Sequence, residues 1–122
     1  DAPQAYRKEP EMLEFLKQVP TVWDETRVLL AKFGESLIIA RRKDDIWFVA
    51  GMCAEKPQNL SFNLPFTKSR ELKATVWRDG LNASKYPADF IKEELAFNRE
   101  TLNNISLVRG GGFVMIVSPK KQ

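Results

Sequence analysis

Histidine is absent from these 122 residues. That removes the Ser-His-Asp and Cys-His catalytic arrangements and every His-containing metal site in one step. A single cysteine, Cys53, excludes an internal disulfide and any cysteine-built zinc cluster. Lying within FVAGMCA, it reads as a small buried hydrophobe. No apolar run reaches the length of a membrane span, and no segment resembles a signal peptide. Charge of one sign is scarce as well: 19 basic and 16 acidic residues leave a net +3. The densest basic run, Arg41-Arg42-Lys43, is followed at once by Asp44-Asp45, and Lys120-Lys121 form a tail. A phosphate-binding surface needs a basic stripe on one face, and none is visible. Neither nucleic acid nor a membrane is expected as a partner.

What is present is one domain's worth of ordinary globular sequence, 43% hydrophobic and 29% charged. In KEPEMLEFLKQVP the apolar residues Met12, Leu13, Phe15, Leu16 and Val19 recur at helical spacing. Glu9 and Glu11 fall in the first turn, where the helix dipole favours them, and Pro20 ends the pattern. A short amphipathic helix is predicted, with an apolar stripe that needs a cover. From Glu25 onward the period becomes two. TRVLLAKF, SLIIARRK and IWFVAGMCA form a meander, and the third is apolar on both alternating faces, which predicts a central strand buried on both sides. NLSFNLPF points Leu60, Phe62, Leu64 and Phe66 inward, with Pro65 suggesting an edge or a strand end. ELKATVWRDG closes on the turn signal Asp79-Gly80. FIKEELAFN fits either a helix or a strand, and the regular spacing of its neighbours favours a strand. ISLV and FVMIVSP complete seven or eight strands. The expected fold is all-β: an antiparallel, Greek-key-like two-sheet sandwich preceded by the short helix.

Several features carry candidate chemistry. Gly110-Gly111-Gly112 lacks the Lys-Ser or Lys-Thr of a phosphate cradle and leads into a strand, so it reads as a turn or bulge. Three Asn-x-Ser triplets, at Asn59, Asn82 and Asn104, matter only in a eukaryotic secreted protein. Trp23, Trp47 and Trp77 are the residues a sugar-binding module would use. Trp47 belongs to the doubly apolar strand and is assigned to the core. Trp77 shares a strand face with Lys73 and Thr75 and is the candidate sugar platform. Asp24–Glu25 beside Trp23 suggests a glycosidase pair. Yet hydrolytic carboxylates face each other across roughly 5 to 10 Å, from different elements, and adjacent residues diverge. The expected role of Asp24 is a side-chain hydrogen bond to nearby backbone amides that shapes the turn into the strand.

The segments FLKQVPTVWDETRVL, IIARRKDDIWFVAGM, TVWRDGLNA and GGGFV, in that order, resemble the C-terminal region of glycoside hydrolase family 97. The likeness runs from about Phe15 to Val117, and Pro20 to Thr26 is its most specific block. That family holds bacterial α-glucosidases and α-galactosidases. Its enzymes have an N-terminal β-super-sandwich, a (β/α)₈ barrel with the catalytic carboxylates and a calcium ion, and a small C-terminal β-sandwich. The resemblance implies that residues 1–24 are the helix and junction from the barrel and that residues 25–122 are the sandwich. None of the family's catalytic or calcium-binding positions falls in this stretch, so no catalytic, cofactor or metal residue is expected in it. It implies a non-catalytic accessory domain that contacts its own barrel or a second subunit, in a periplasmic or secreted enzyme of a Gram-negative bacterium. The expected interdomain contacts are Phe15, Leu16, Trp23 and Asp24. A carbohydrate-binding module using Trp77 is the alternative, and a free-standing hydrolase using Asp24 is a further one.

Overall fold

The computed structural model describes residues 14, 15, 17–79 and 90–121. Glu14, Phe15, Lys17 and Gln18 are helical. Val19, the last residue of the predicted pattern, is described and not helical, and the remaining residues of that pattern, Leu16 included, lie outside the described residues. Eight strands follow: β1 (Glu25–Lys32), β2 (Ser36–Lys43), β3 (Ile46–Cys53), β4 (Gln58–Phe62), β5 (Glu71–Asp79), β6 (Phe90–Asn98), β7 (Asn103–Leu107) and β8 (Gly112–Pro119). The ambiguous FIKEELAFN is strand β6, paired along its whole length with β5 from Glu71↔Asn98 to Asp79↔Phe90. Pro65 falls beyond the end of β4.

The strands form a six-stranded sheet in the order β1-β2-β3-β8-β5-β6 and a two-stranded sheet β4-β7. Every pairing is antiparallel. Tight turns join the first three strands. Gly34, at φ +72°, occupies the first, where a left-handed conformation needs no side chain. Asp44, at φ +56°, occupies the second and is the one described non-glycine residue with positive φ. The glycine run makes the turn before β8: the Gly111 amide donates to the Val108 carbonyl at 2.7 Å and the Gly110 amide to the Ala54 carbonyl at 2.7 Å.

The main core lies between the sheets. Alternation in the large sheet sends Ile38, Ala40, Trp47, Val49, Leu72, Val76, Met115 and Val117 inward, against Leu60, Phe62, Ile105 and Leu107 of the small one. Trp47 is core as expected and meets Phe66 edge-on at 4.7 Å. Phe113 stacks on Phe62 with centroids 5.7 Å apart and crosses β3 directly over Gly51. A Cβ on Gly51 would overlap that ring, so glycine is the residue that lets the ring lie flat.

The expectation that β3 is buried on both sides needs a correction. It is central, between β2 and β8, and its inner face is buried. On the outer face Phe48 is buried, but Ala50 is exposed and Met52 is 60% exposed. The described part of the chain covers only one end of that face.

Candidate functional site

The Asp24–Glu25 pair is built into the entrance of the sandwich. Asp24 sits just before β1, and its amide donates to the Arg42 carbonyl at 2.8 Å. Its Oδ2 accepts from the Asp44 amide at 2.8 Å, while Arg42 Nη1 donates to the Asp44 carbonyl at 2.8 Å. Both backbone groups of the left-handed Asp44 are thus held, the amide by Asp24 from 20 residues away and the carbonyl by Arg42 two residues before it. Glu25 accepts from Arg42 Nε at 3.1 Å and pairs with Arg27. Lys43 Nζ lies 3.8 Å from Asp24 Oδ1.

The Asp44 amide, then Lys43 and Arg42, holds the Asp24 carboxyl below its usual range. The Arg42 hydrogen bond, then Arg27, does the same for Glu25. A glycosidase's general acid needs the opposite shift. The expected role of Asp24 as an acceptor for backbone amides is what the structure shows, although the amide belongs to the β2–β3 turn and not to its own. Other acids are engaged too. Glu93 pairs with Arg78 at 2.7 Å, and Asp79 Oδ2 accepts from the Gly112 amide at 2.6 Å. Among the described residues no group of three or more His, Cys, Asp or Glu side chains could hold a metal ion.

A second feature covers part of the outer face of the large sheet. Phe15, Phe48 and Trp77 form a buried cluster with Val19, Trp23, Ile46, Val114 and Ile116 packed against it. The Phe15 ring meets Trp77 edge-on at 5.5 Å and Phe48 at 6.4 Å, and Trp23 meets Phe48 at 5.2 Å. Glu14 Oε1 accepts from Lys92 Nζ at 2.8 Å, which ties the helical residues to β6. Trp23 is half-buried, with the Arg41 guanidinium 5.9 Å from its ring centre.

Trp77 is therefore not a platform. It is 1% exposed, because Phe15 lies on the face it shares with Lys73 and Thr75. Its Nε1–H is buried without a hydrogen-bond partner among the described residues.

Beyond this cover the same face opens into an apolar groove of about 430 Å³. Leu37, Ile39, Ala50, Met52, Val114 and Trp77 are among its walls, and Asp79 is the one charged residue among the described lining. Sequence reading singled out Phe15 and Trp23 but missed Phe48, Val114 and Met52. The signal was there in β8, where Val114 and Ile116 alternate with the inward Phe113, Met115 and Val117, so both faces are apolar.

The sequence model described as glycosyl-hydrolase 97 C-terminal, oligomerisation, matches residues 22–118. The chain belongs to glycoside hydrolase family 97 as its C-terminal domain. A retaining α-galactosidase from Bacteroides thetaiotaomicron is 35% identical over 115 residues, covering 94% of this chain and 17% of that protein. A protein from Streptomyces bingchenggensis, named a probable retaining α-galactosidase, is 40% identical over 114 residues, with 93% and 17% coverage. The chain thus spans about a sixth of the length of these family 97 relatives. In fold it is similar to a family 97 enzyme from Pseudoalteromonas sp. strain K8, with a TM-score of 0.84 at 22% identity over 98% of this chain and 20% of that one. Phe15 and Val19 lie before the span that the family 97 model matches, yet they pack on the sandwich inside it.

Proposed function

We propose that this chain is the non-catalytic accessory sandwich of a larger glycosidase and works by protein–protein contact, holding the catalytic region of the same polypeptide. The observation that carries this reading is the packing of Phe15 and Val19 into the outer sheet face, around Phe48 and Trp77. Sequence ahead of the sandwich supplies a layer of apolar side chains that the sandwich's own strands do not. Burial of this kind, at roughly 25 cal/mol per Å² of apolar surface, is what joins two domains firmly. The parent's reaction would be hydrolysis of an α-glycosidic bond, and the names of the two relatives favour α-galactosides. Its catalytic carboxylates, and the calcium that the family resemblance implies, would be held outside this chain.

The experiment compares the parent enzyme with a version truncated before Glu14, assayed on aryl α-galactoside and aryl α-glucoside. Truncation is expected to lower the melting temperature of what remains and to shorten its active lifetime. A truncated enzyme as stable and as active as the parent would defeat the accessory reading. Oligomerisation, the second role, is favoured by the large apolar side chains left exposed, Val28, Phe33 and Met52. Sedimentation of the parent with and without the sandwich separates the two roles.

A further inference from the structure

The β1–β2 turn presents a knob beside a hole. Its central residues are Phe33 and Gly34, and the Glu35 amide closes it by donating to the Lys32 carbonyl at 2.9 Å. Gly34, at φ +72°, supplies the left-handed backbone that such a turn needs. The Ala54 amide donates to the Glu35 carbonyl at 2.8 Å and fastens the turn to the chain leaving β3. On this frame the Phe33 side chain is fully exposed. Next to it lies a hole of about 200 Å³, with Gly34, Ser36, Leu37, Met52, Cys53 and Ala54 among its walls. Lys32 and Glu35 line it too, and Phe33 is not among the described walls. The turn therefore holds the ring outside a hole in its own chain.

We infer that this turn is a self-recognition site, in which Phe33 of each of two copies of the chain enters the hole beside the other's turn. The inference rests on the oligomerisation role above and adds the anchor, the receiving site and the symmetry. Single exposed apolar side chains are ordinary on protein surfaces. Phe33 differs in standing on a fixed turn that adjoins a hole with room for an aromatic ring. Knob and hole are built from neighbouring residues, so a two-fold axis between two copies seats both rings at once. A ring held in place by its turn also loses little freedom on binding.

The charges select a second copy as the occupant. Lys32 and Glu35 flank the knob on either side, both are exposed, and neither has an ion-pair partner among the described residues. The two-fold arrangement sets Lys32 of each copy against Glu35 of the other, giving two pairs of opposite sign. The hole carries a further unmet group. Ser36 is 6% exposed, and its hydroxyl has no hydrogen-bond partner among the described residues. An incoming turn brings backbone carbonyls, the acceptors that this hydroxyl lacks. The contact is small, so the association it supports is weak and concentration-dependent.

The test is sedimentation velocity of the parent enzyme over a range of concentrations, with variants beside the wild type. The wild type is expected to dimerise as concentration rises, and Phe33→Asp to raise the dissociation constant about thirtyfold or more. Because Phe33 is fully exposed, that variant should keep its melting temperature within about 1 °C at low concentration. Lys32→Glu and Glu35→Lys should each weaken association about tenfold, by setting like charges across the axis, and the double reversal should restore it. A parent that associates equally well with Phe33→Asp would overturn the inference and leave the oligomerisation role standing. A parent that stays monomeric throughout would overturn both. A double reversal no better than the single ones would overturn the Lys32–Glu35 pairing, and the two-fold arrangement with it.

Discussion

The Asp24 carboxylate accepts the amide of Asp44 from 20 residues away, and so fixes the β2–β3 turn at the residue with left-handed backbone. An L-residue other than glycine adopts that conformation at a cost, and Asp and Asn tolerate it best. Asp24 supplies the acceptor for Asp44, and Arg42 supplies the donor for its carbonyl.

Asp24→Ala should therefore lower the melting temperature more than Asp24→Asn, which keeps a side-chain oxygen. Asp44→Gly should partly restore the alanine variant, because glycine takes positive φ without strain. Thermal melts of the single and double variants check the ordering.

The pH dependence has a definite sign. Both Asp24 and Glu25 titrate below their ordinary values in the folded chain. Their contribution is thus fully present above the unfolded carboxylate range, about pH 4, and is lost as pH falls through the lower folded values. Melts from pH 7 to pH 2 should show the wild type losing more stability than Asp24→Asn over the acid limb. Salt should shrink that difference, since the groups are partly solvated.

Gly51→Ala is expected to destabilise by about 2–3 kcal/mol, because the new methyl meets the Phe113 ring. Phe113→Leu in the same chain should recover part of that loss, giving a coupling energy in a double-mutant cycle. Chemical denaturation of the four species measures it.

Trp77→Phe should cost less than Trp77→Ala by a wide margin. The indole Nε1–H has no acceptor among the described residues, so phenylalanine forfeits only volume. The alanine variant opens a cavity under Phe15, at about 3–5 kcal/mol. Retardation of the 122-residue chain in a starch or galactan gel should be absent for wild type and variant alike, since no indole face at Trp77 is open. Retardation abolished by Trp77→Phe would contradict that.

Much of this was readable in advance because alternation at period two records the sheet pleat directly. NLSFNLPF shows it well: Leu60, Phe62 and Leu64 are buried, and Asn59 and Ser61 are exposed. β6 was harder, since Ile91 and Leu95 suit a helix as well as a strand. What decides it is pairing with β5, a contact with another strand that runs from Asp79↔Phe90 to Glu71↔Asn98. Phe48 and Met52 mark where reading stops. They share one strand face and one pattern, yet one is 9% exposed and the other 60%. The difference is set by Phe15 and Trp23, which cover Phe48 from a distant part of the chain. Periodicity reports which side chains are apolar and is silent on what lies over them. The same blindness made Trp77, in line with Lys73 and Thr75, look open.

The placing of β8 has a bearing on biosynthesis. It is the last of the eight strands to be made, yet it sits between β3 and β5 and pairs with both. Until it arrives, β1-β2-β3 and β5-β6 are two ribbons with no shared hydrogen bonds, and the slot for Met115 and Val117 stands open. Closure of the large sheet thus waits for the last of its strands, and a polypeptide cut short before Gly112 leaves the facing edges of β3 and β5 unpaired. The last strand in sequence is thus the one that joins two halves of the sheet, so the earlier strands cannot complete it among themselves.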